Sequence, residues 1–275
     1  MNIEQKMASI FEIFERLKQT QGRSNYLVME DGLNLLRQYY DGLCKKRLFH
    51  SASQSRWENQ RSTLEKLLLG CEDLVNCNYT GDKNSKGAEL ILSVRSDIKK
   101  YAKGEEEARH LRENDSIKEL VESLEKLQNE DGKFDSVFYV ASGGAEPALL
   151  YCARNGGIPT PIRFSMYSKE DTHVRLPIDM PKEYLREKVE GKRILVVEDI
   201  VISGKSVVKT MDYLAKFDPK AIYGCAVRME DFSTRLKARI SENHGSWYND
   251  RIWRYKMSAK EESETRDRPT IDVFF

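Results

Sequence analysis

From residue 1 to about 130 the apolar positions recur at helical spacing. Met7, Ile10, Phe11, Phe14 and Leu17 form one stripe, Leu36, Tyr39, Tyr40 and Leu43 a second, and Leu64, Leu67, Leu68, Cys71 and Val75 a third. Ile91, Val94, Ile98 and Tyr101 predict a fourth helix, and Ile117, Leu120, Val121, Leu124 and Leu127 a fifth. The polar stretches from Gln21 to Asn25 and from Thr80 to Gly87 read as loops. The charged stretch Lys99 to Arg112 reads as a solvated helical face.

After Asp131-Gly132 the pattern changes to short apolar runs alternating with helical periods, which predicts a parallel α/β sheet flanked by helices. Ser136 to Ala141 (SVFYVA) is a buried strand, followed by Ser142-Gly143-Gly144 and a helix from Ala145 to Asn155. Pro161 to Tyr167 (PIRFSMY) is the second strand, and Ser168 to about Lys182 is polar without a clean period. Ile194 to Glu198 is the third, with a helix from about Lys205 to Phe217, and Ala221 to Arg228 the fourth. Asp218-Pro219 ends the helix between them. A helix over Asp231 to Glu242, the aromatic stretch WYNDRIWRYKM and a terminal strand over Thr270 to Phe275 complete the reading. The expected division is an all-α N-terminal domain over residues 1–110 and an α/β domain over 111–275.

Chemistry concentrates in Ile194 to Val207, ILVVEDIVISGKSV. Its apolar run ends in Glu198 and Asp199, at the carboxyl end of a strand, where open α/β sheets bind ligands. Ser203, Gly204, Lys205 and Ser206 then supply backbone N–H groups, hydroxyls and a helix dipole suited to a terminal phosphate. Carboxylates for vicinal hydroxyls beside a phosphate cradle fit a sugar phosphate.

Composition narrows the classes. A net charge of +1 among 32% charged residues carries no global nucleic-acid signature. Trp247, Tyr248, Trp253 and Tyr255 sit among basic residues, a composition shared with nucleic-acid binders, but packing of a small C-terminal subdomain is the favoured reading. Five scattered cysteines, Cys44, Cys71, Cys77, Cys152 and Cys225, contain no CxxC pair and argue against a zinc site or a disulfide framework. The acidic residues within the first apolar stripe and the lack of any run near the roughly 18 apolar residues of a membrane span predict a cytoplasmic protein with no membrane partner.

The run ILVVEDIVISGKS resembles the phosphoribosyl-diphosphate (PRPP) signature of the type I phosphoribosyltransferases, and its Glu-Asp with Ser-Gly-Lys-Ser is most similar to the purine, hypoxanthine-guanine branch. The resemblance covers about Ser116 to Arg228 and implies the following roles. Glu198 and Asp199 bind the ribose hydroxyls, with Mg2+ reaching them through the ligand, and Ile202, Ser203, Gly204, Lys205 and Ser206 form the 5′-phosphate loop. Ser142, Gly143 and Gly144 fall where the family has its pyrophosphate loop. IRFSMYS leads into the position of the mobile catalytic loop, about Ser165 to Arg175, whose candidate cations are Lys169, His173 and Arg175. Arg228 and Phe274, or its neighbour Phe275, are the candidate base contacts.

Two positions depart from the purine branch. Ile202 stands where that branch usually carries an aspartate assisting at the base's N7, and an apolar side chain cannot shuttle a proton. Arg228 replaces a lysine that meets the purine's exocyclic oxygen, keeping a donor but changing its geometry. The implied activity is transfer of a phosphoribosyl group from PRPP to a nucleobase or similar nitrogen nucleophile, with Mg2+. Two alternatives are a non-catalytic PRPP or nucleotide sensor and a nucleotide-targeting effector of a bacterial defence or toxin system. The helical half would serve homo-oligomerisation or docking of a protein partner.

Overall fold

Among the described residues, the helical periodicity produces six helices before the first strand. In the computed structural model, which describes residues 10–20, 23–45, 54–102, 114–141, 143–164, 174–177, 179–201, 204–229, 246–247 and 251–255, these are α1 (Ile10–Lys18), α2 (Asn25–Lys45), α3 (Gln54–Thr80), α4 (Gly87–Ser93), α5 (Arg95–Tyr101) and α6 (Asn114–Asp131). The expected fourth helix is two. Val94 leaves the helical region at φ −109° and ψ 15°, its N–H closing a tight turn on the Ile91 carbonyl, and α5 restarts beyond it. The predicted loop before α4 is bound down by Asp73 of α3, whose carboxylate accepts from the Ser85 hydroxyl at 2.6 Å and the Gly87 N–H at 2.8 Å.

The α/β part follows as β1 (Ser136–Val140), α7 (Ala145–Asn155), β2 (Thr160–Ile162), α8 (Lys182–Val189), β3 (Arg193–Val201), α9 (Lys205–Ala215), β4 (Ala221–Met229), β5 (Ser246–Trp247) and β6 (Ile252–Tyr255). The sheet order is β2-β1-β3-β4-β6-β5. The first four strands in that order are parallel, while β6 is antiparallel to β4 and β5 antiparallel to β6. The second strand starts one residue earlier than its pattern suggested; beyond Ile162, Arg163 makes only an isolated antiparallel bridge to Arg175. The third runs three residues past Glu198 because Ile200 and Val201 find partners in Arg228 and Met229. The sequence pattern does not predict α8, whose buried positions are only Leu185 and Val189, among charged residues and Tyr184. The predicted 110/111 boundary, the helix over 231–242 and the terminal strand over 270–275 lie outside the described residues.

Strand alternation divides the core in two. On one face Val137, Tyr139, Leu195, Val197, Tyr223 and Cys225 pack with α6 and α7, and this cluster of buried side chains continues into α1 to α5. On the other, Phe138, Val140, Ile194, Val196, Ile222 and Ala226 pack with Leu185 and Val189 of α8 and with Val207, Met211 and Leu214 of α9. A parallel sheet covered on both sides is why these strands read as unbroken apolar runs. The described residues of the aromatic stretch pack as expected, but in the main sheet and not in a separate subdomain: Ile252 enters the first cluster, and Trp253 and Tyr255 the second. No helix among the described residues is long and apolar enough to cross a membrane.

Trp253 packs flat against β4 because position 224 lacks a side chain. A Cβ at Gly224 would come within 2.4 Å of the indole ring. Gly224→Ala is therefore expected to destabilise the protein by about 1–3 kcal/mol through overpacking, read as a lower urea midpoint with an unchanged slope. An unaltered midpoint would show that β6 does not hold the sheet edge as described.

Candidate functional site

The candidate site is built on the last residues of β3. Side chains alternate along the strand, so Glu198 follows Val196 toward α9 and Asp199 follows Val197 toward α7. Toward α9, the Ser206 hydroxyl donates to Glu198 Oε2 at 3.0 Å. Toward α7, the Gly143-Gly144 loop crosses the strand end so closely that a Cβ on Gly143 would lie 2.0 Å from Asp199 Oδ1, and one on Gly144 would lie 2.2 Å from the Val197 carbonyl oxygen. Only glycine lets the backbone approach that near. The acidic pair thus caps the strand end, with Glu198 at the predicted phosphate loop, Asp199 at the predicted pyrophosphate loop and the two carboxyls in contact with each other.

The turn from β3 into α9 passes through Gly204 in the left-handed region at φ 71°, where a side chain would be strained. As the N-cap residue it makes no side-chain cap, so the start of α9 presents main-chain N–H groups and the positive end of the dipole. Lys205 is exposed and Ser206 half-buried at this start.

Glu198 is 5% exposed. Burial, and then the neighbouring Asp199 carboxylate, push its carboxyl well above the usual glutamate range, and the Ser206 hydrogen bond partly offsets this. The Asp199 N–H donates to Glu198 Oε1 at 3.3 Å and the Ile200 N–H to Asp199 Oδ1 at 2.6 Å. Two carboxyls with part of their capacity already used fit an ion held mainly by ligand oxygens and water, as Mg2+ is. Among the described residues no group of three or more His, Cys, Asp or Glu side chains forms a self-contained metal cage.

The remaining predicted residues spread along the carboxyl edge. Arg228, exposed at the end of β4, pairs in register with Ile200. Arg175 lies beyond β2, its N–H donating to the Arg163 carbonyl at 2.9 Å and its carbonyl accepting from the Arg163 N–H at 3.1 Å. Arg175 and Arg228 therefore sit on opposite sides of the central β1 and β3. Ser142, Lys169, His173, Ile202, Ser203, Phe274 and Phe275 lie outside the described residues.

Sequence reasoning passed over Glu146, in the first turn of α7 two residues after Gly144. It is 4% exposed and accepts from the Tyr79 hydroxyl of α3 at 2.8 Å. Burial pushes its carboxyl up to about 7, helped by Glu30 and opposed by the Tyr79 hydrogen bond. The available signal was a lone acid within the apolar run of VASGGAEPALL.

The raised Glu198 value has a defined consequence. As pH rises above the ordinary glutamate value of 4.5, the unfolded chain ionises first while folded Glu198 keeps its proton, so its contribution to stability is lost with rising pH. Glu198→Gln escapes that loss. Its melting temperature relative to wild type is expected to rise with pH over the range above about 4.5. A difference that is flat across that range contradicts the burial argument.

The phosphoribosyl transferase domain family matches residues 109–257. Among curated proteins none matches. Among solved structures 67 chains match; one is the crystal structure of purine phosphoribosyltransferase from Pyrococcus horikoshii Ot3, at 21% identity and a TM-score of 0.36 over 46% of this chain and 80% of that one. With more than half of its 275 residues matched, carrying both glycine loops and the acidic pair between them, the chain belongs to the phosphoribosyl transferase domain family.

Proposed function

We propose that this protein binds PRPP with Mg2+ in the cytoplasm and transfers the phosphoribosyl group to a nucleobase or similar nitrogen nucleophile, releasing pyrophosphate. The observation that carries the reading is the position of Glu198 at the start of α9 and of Asp199 against the Gly143-Gly144 loop, its Oδ1 2.0 Å from where a Gly143 Cβ would stand. A ligand with a ribose in the middle and phosphates at both ends matches that order of groups.

In this reading Glu198 and Asp199 accept hydrogen bonds from the ribose hydroxyls, and the N-terminal turn of α9, with Lys205 and Ser206, holds the 5′-phosphate. The backbone of Gly143 and Gly144, with the cations Lys169 and Arg175, serves the pyrophosphate. Mg2+, when bound with the diphosphate, supplies positive charge against the leaving group. The bond from the anomeric carbon to the pyrophosphate oxygen breaks, and its electron pair leaves with the pyrophosphate. A lone pair of the base nitrogen forms the new bond, and the proton of that nitrogen passes to the departing pyrophosphate or to water. Arg228, on the far side of β3, donates to the acceptor, with Phe274 stacking on it.

Ile202 supports a second reading, a PRPP or nucleotide sensor that does not turn over, because the purine branch's aspartate is replaced by a side chain with no proton to move. Release of pyrophosphate from PRPP, measured against a panel of bases and nucleotides with a control lacking any acceptor, separates the two. Asp199→Asn and Ser206→Ala are each expected to weaken PRPP binding by about tenfold or more in calorimetry, the cost of one charge-assisted hydrogen bond. Unchanged affinity in both variants removes the PRPP reading altogether.

A further inference from the structure

The connection from β2 to α8 carries Arg175, and both of its described ends are held by the N-terminal helices. At the first end, the Tyr40 hydroxyl of α2 donates to the Pro161 carbonyl at 2.6 Å, and Asp41, the next residue, pairs with Arg163. Both members of that pair are 8% exposed. Arg163 in turn exchanges both main-chain hydrogen bonds with Arg175. At the second end, Asp179, also 8% exposed, accepts from Gln60 Nε2 of α3 at 2.8 Å and from Arg56 at 3.4 Å.

A buried ion pair is poor value for stability, because desolvating both charges offsets their attraction, whereas it fixes register well. Asp31 of α2 makes the useful contrast. It is 3% exposed, but its partners, Arg16 and Arg23, belong to the helical region itself. Asp41 and Asp179 instead meet partners across the boundary between the helices and the β2–α8 connection.

We propose that Asp41 and Gln60 are positioning residues through which the helical region sets the placement of Arg175 at the transferase site, so that whatever shifts α2 or α3 alters turnover. This rests on the transferase reading above. Arg175 contacts the pyrophosphate in that reading, and a misplaced cation lowers the rate without emptying the phosphate and ribose subsites.

The test uses the full chain with Asp41→Asn, the charge-keeping Asp41→Glu and the control Asp31→Asn. Melting temperature, hydrogen exchange of the ligand-free protein, PRPP affinity and the kcat and KM for PRPP are measured on each. Asp41→Asn is expected to speed exchange over residues 160–164 and 174–177 by about fivefold or more, with β3 and α9 unchanged. Its kcat is expected to fall by about tenfold or more with a smaller change in PRPP affinity. Asp41→Glu recovers part of the rate, and Asp31→Asn lowers the melting temperature while leaving kcat unchanged. Should Asp41→Asn not fold, Gln60→Leu is read in the same way at residues 174–177. Exchange that does not change there, or kcat losses that follow melting temperature equally in Asp31→Asn and Asp41→Asn, overturns the proposal. A wild-type protein that binds no PRPP sinks the transferase reading instead, and faster exchange in Asp41→Asn still shows that α2 holds the connection.

Discussion

Because neighbouring side chains on a strand leave on opposite faces, β3 starts Glu198 toward α9 and Asp199 toward α7, and at the strand end their carboxyls still meet each other. Everything at the candidate site follows from that constraint. Glu198 is committed to the α9 side, where Ser206 meets it, and Asp199 to the α7 side, where Gly143 and Gly144 pass over the strand end. The two loops can serve one ligand only because β1 and β3 are adjacent in the sheet, with Val197 of β3 beside Tyr139 of β1.

The same burial that makes the sheet stable raises the cost of ionising groups at its edge. Glu198 and Glu146 are both nearly inaccessible, and both are pushed above the ordinary glutamate range chiefly by burial. They differ in partner. Glu198 meets a hydroxyl from the helix it faces and the carboxylate next to it, whereas Glu146 is tied by Tyr79 to the helical region. One acid is thereby tied to the start of α9, and the other anchors the helix that follows the glycine loop.

The helical region is joined to the sheet by apolar packing and by polar contacts of a specific kind. A continuous cluster of buried side chains runs from Phe14 and Leu36 through Leu67 to Leu149 and Val197. Apolar packing of this sort tolerates sliding, since it has no direction. Tyr40, Asp41, Gln60 and Tyr79 remove that freedom, each reaching a defined atom on the α/β side.

The sequence by itself determined the elements and the chemistry of the central motif. The helical stripes, the helix over Ala145–Asn155, the strand at Ile194 and the residue types of the motif from Glu198 to Ser206 all depend on local period and composition, which a single chain displays. Where reading failed, the information was not local. Val94 carries the same apolar signal whether a helix continues or breaks there, and Leu185 with Val189 is too sparse a pattern to announce α8. Ile252, Trp253 and Tyr255 became a strand because β4 offered an open edge and Gly224 a flat surface. Only the tertiary structure decided that Gly143 lies against Asp199, that Glu198 is buried against Ser206, and that Asp41 and Asp179 find partners more than a hundred residues away. Such contacts are set by strand order and helix packing, and the residues that make them carry no mark in the sequence beyond an acid or an amide in a buried stripe.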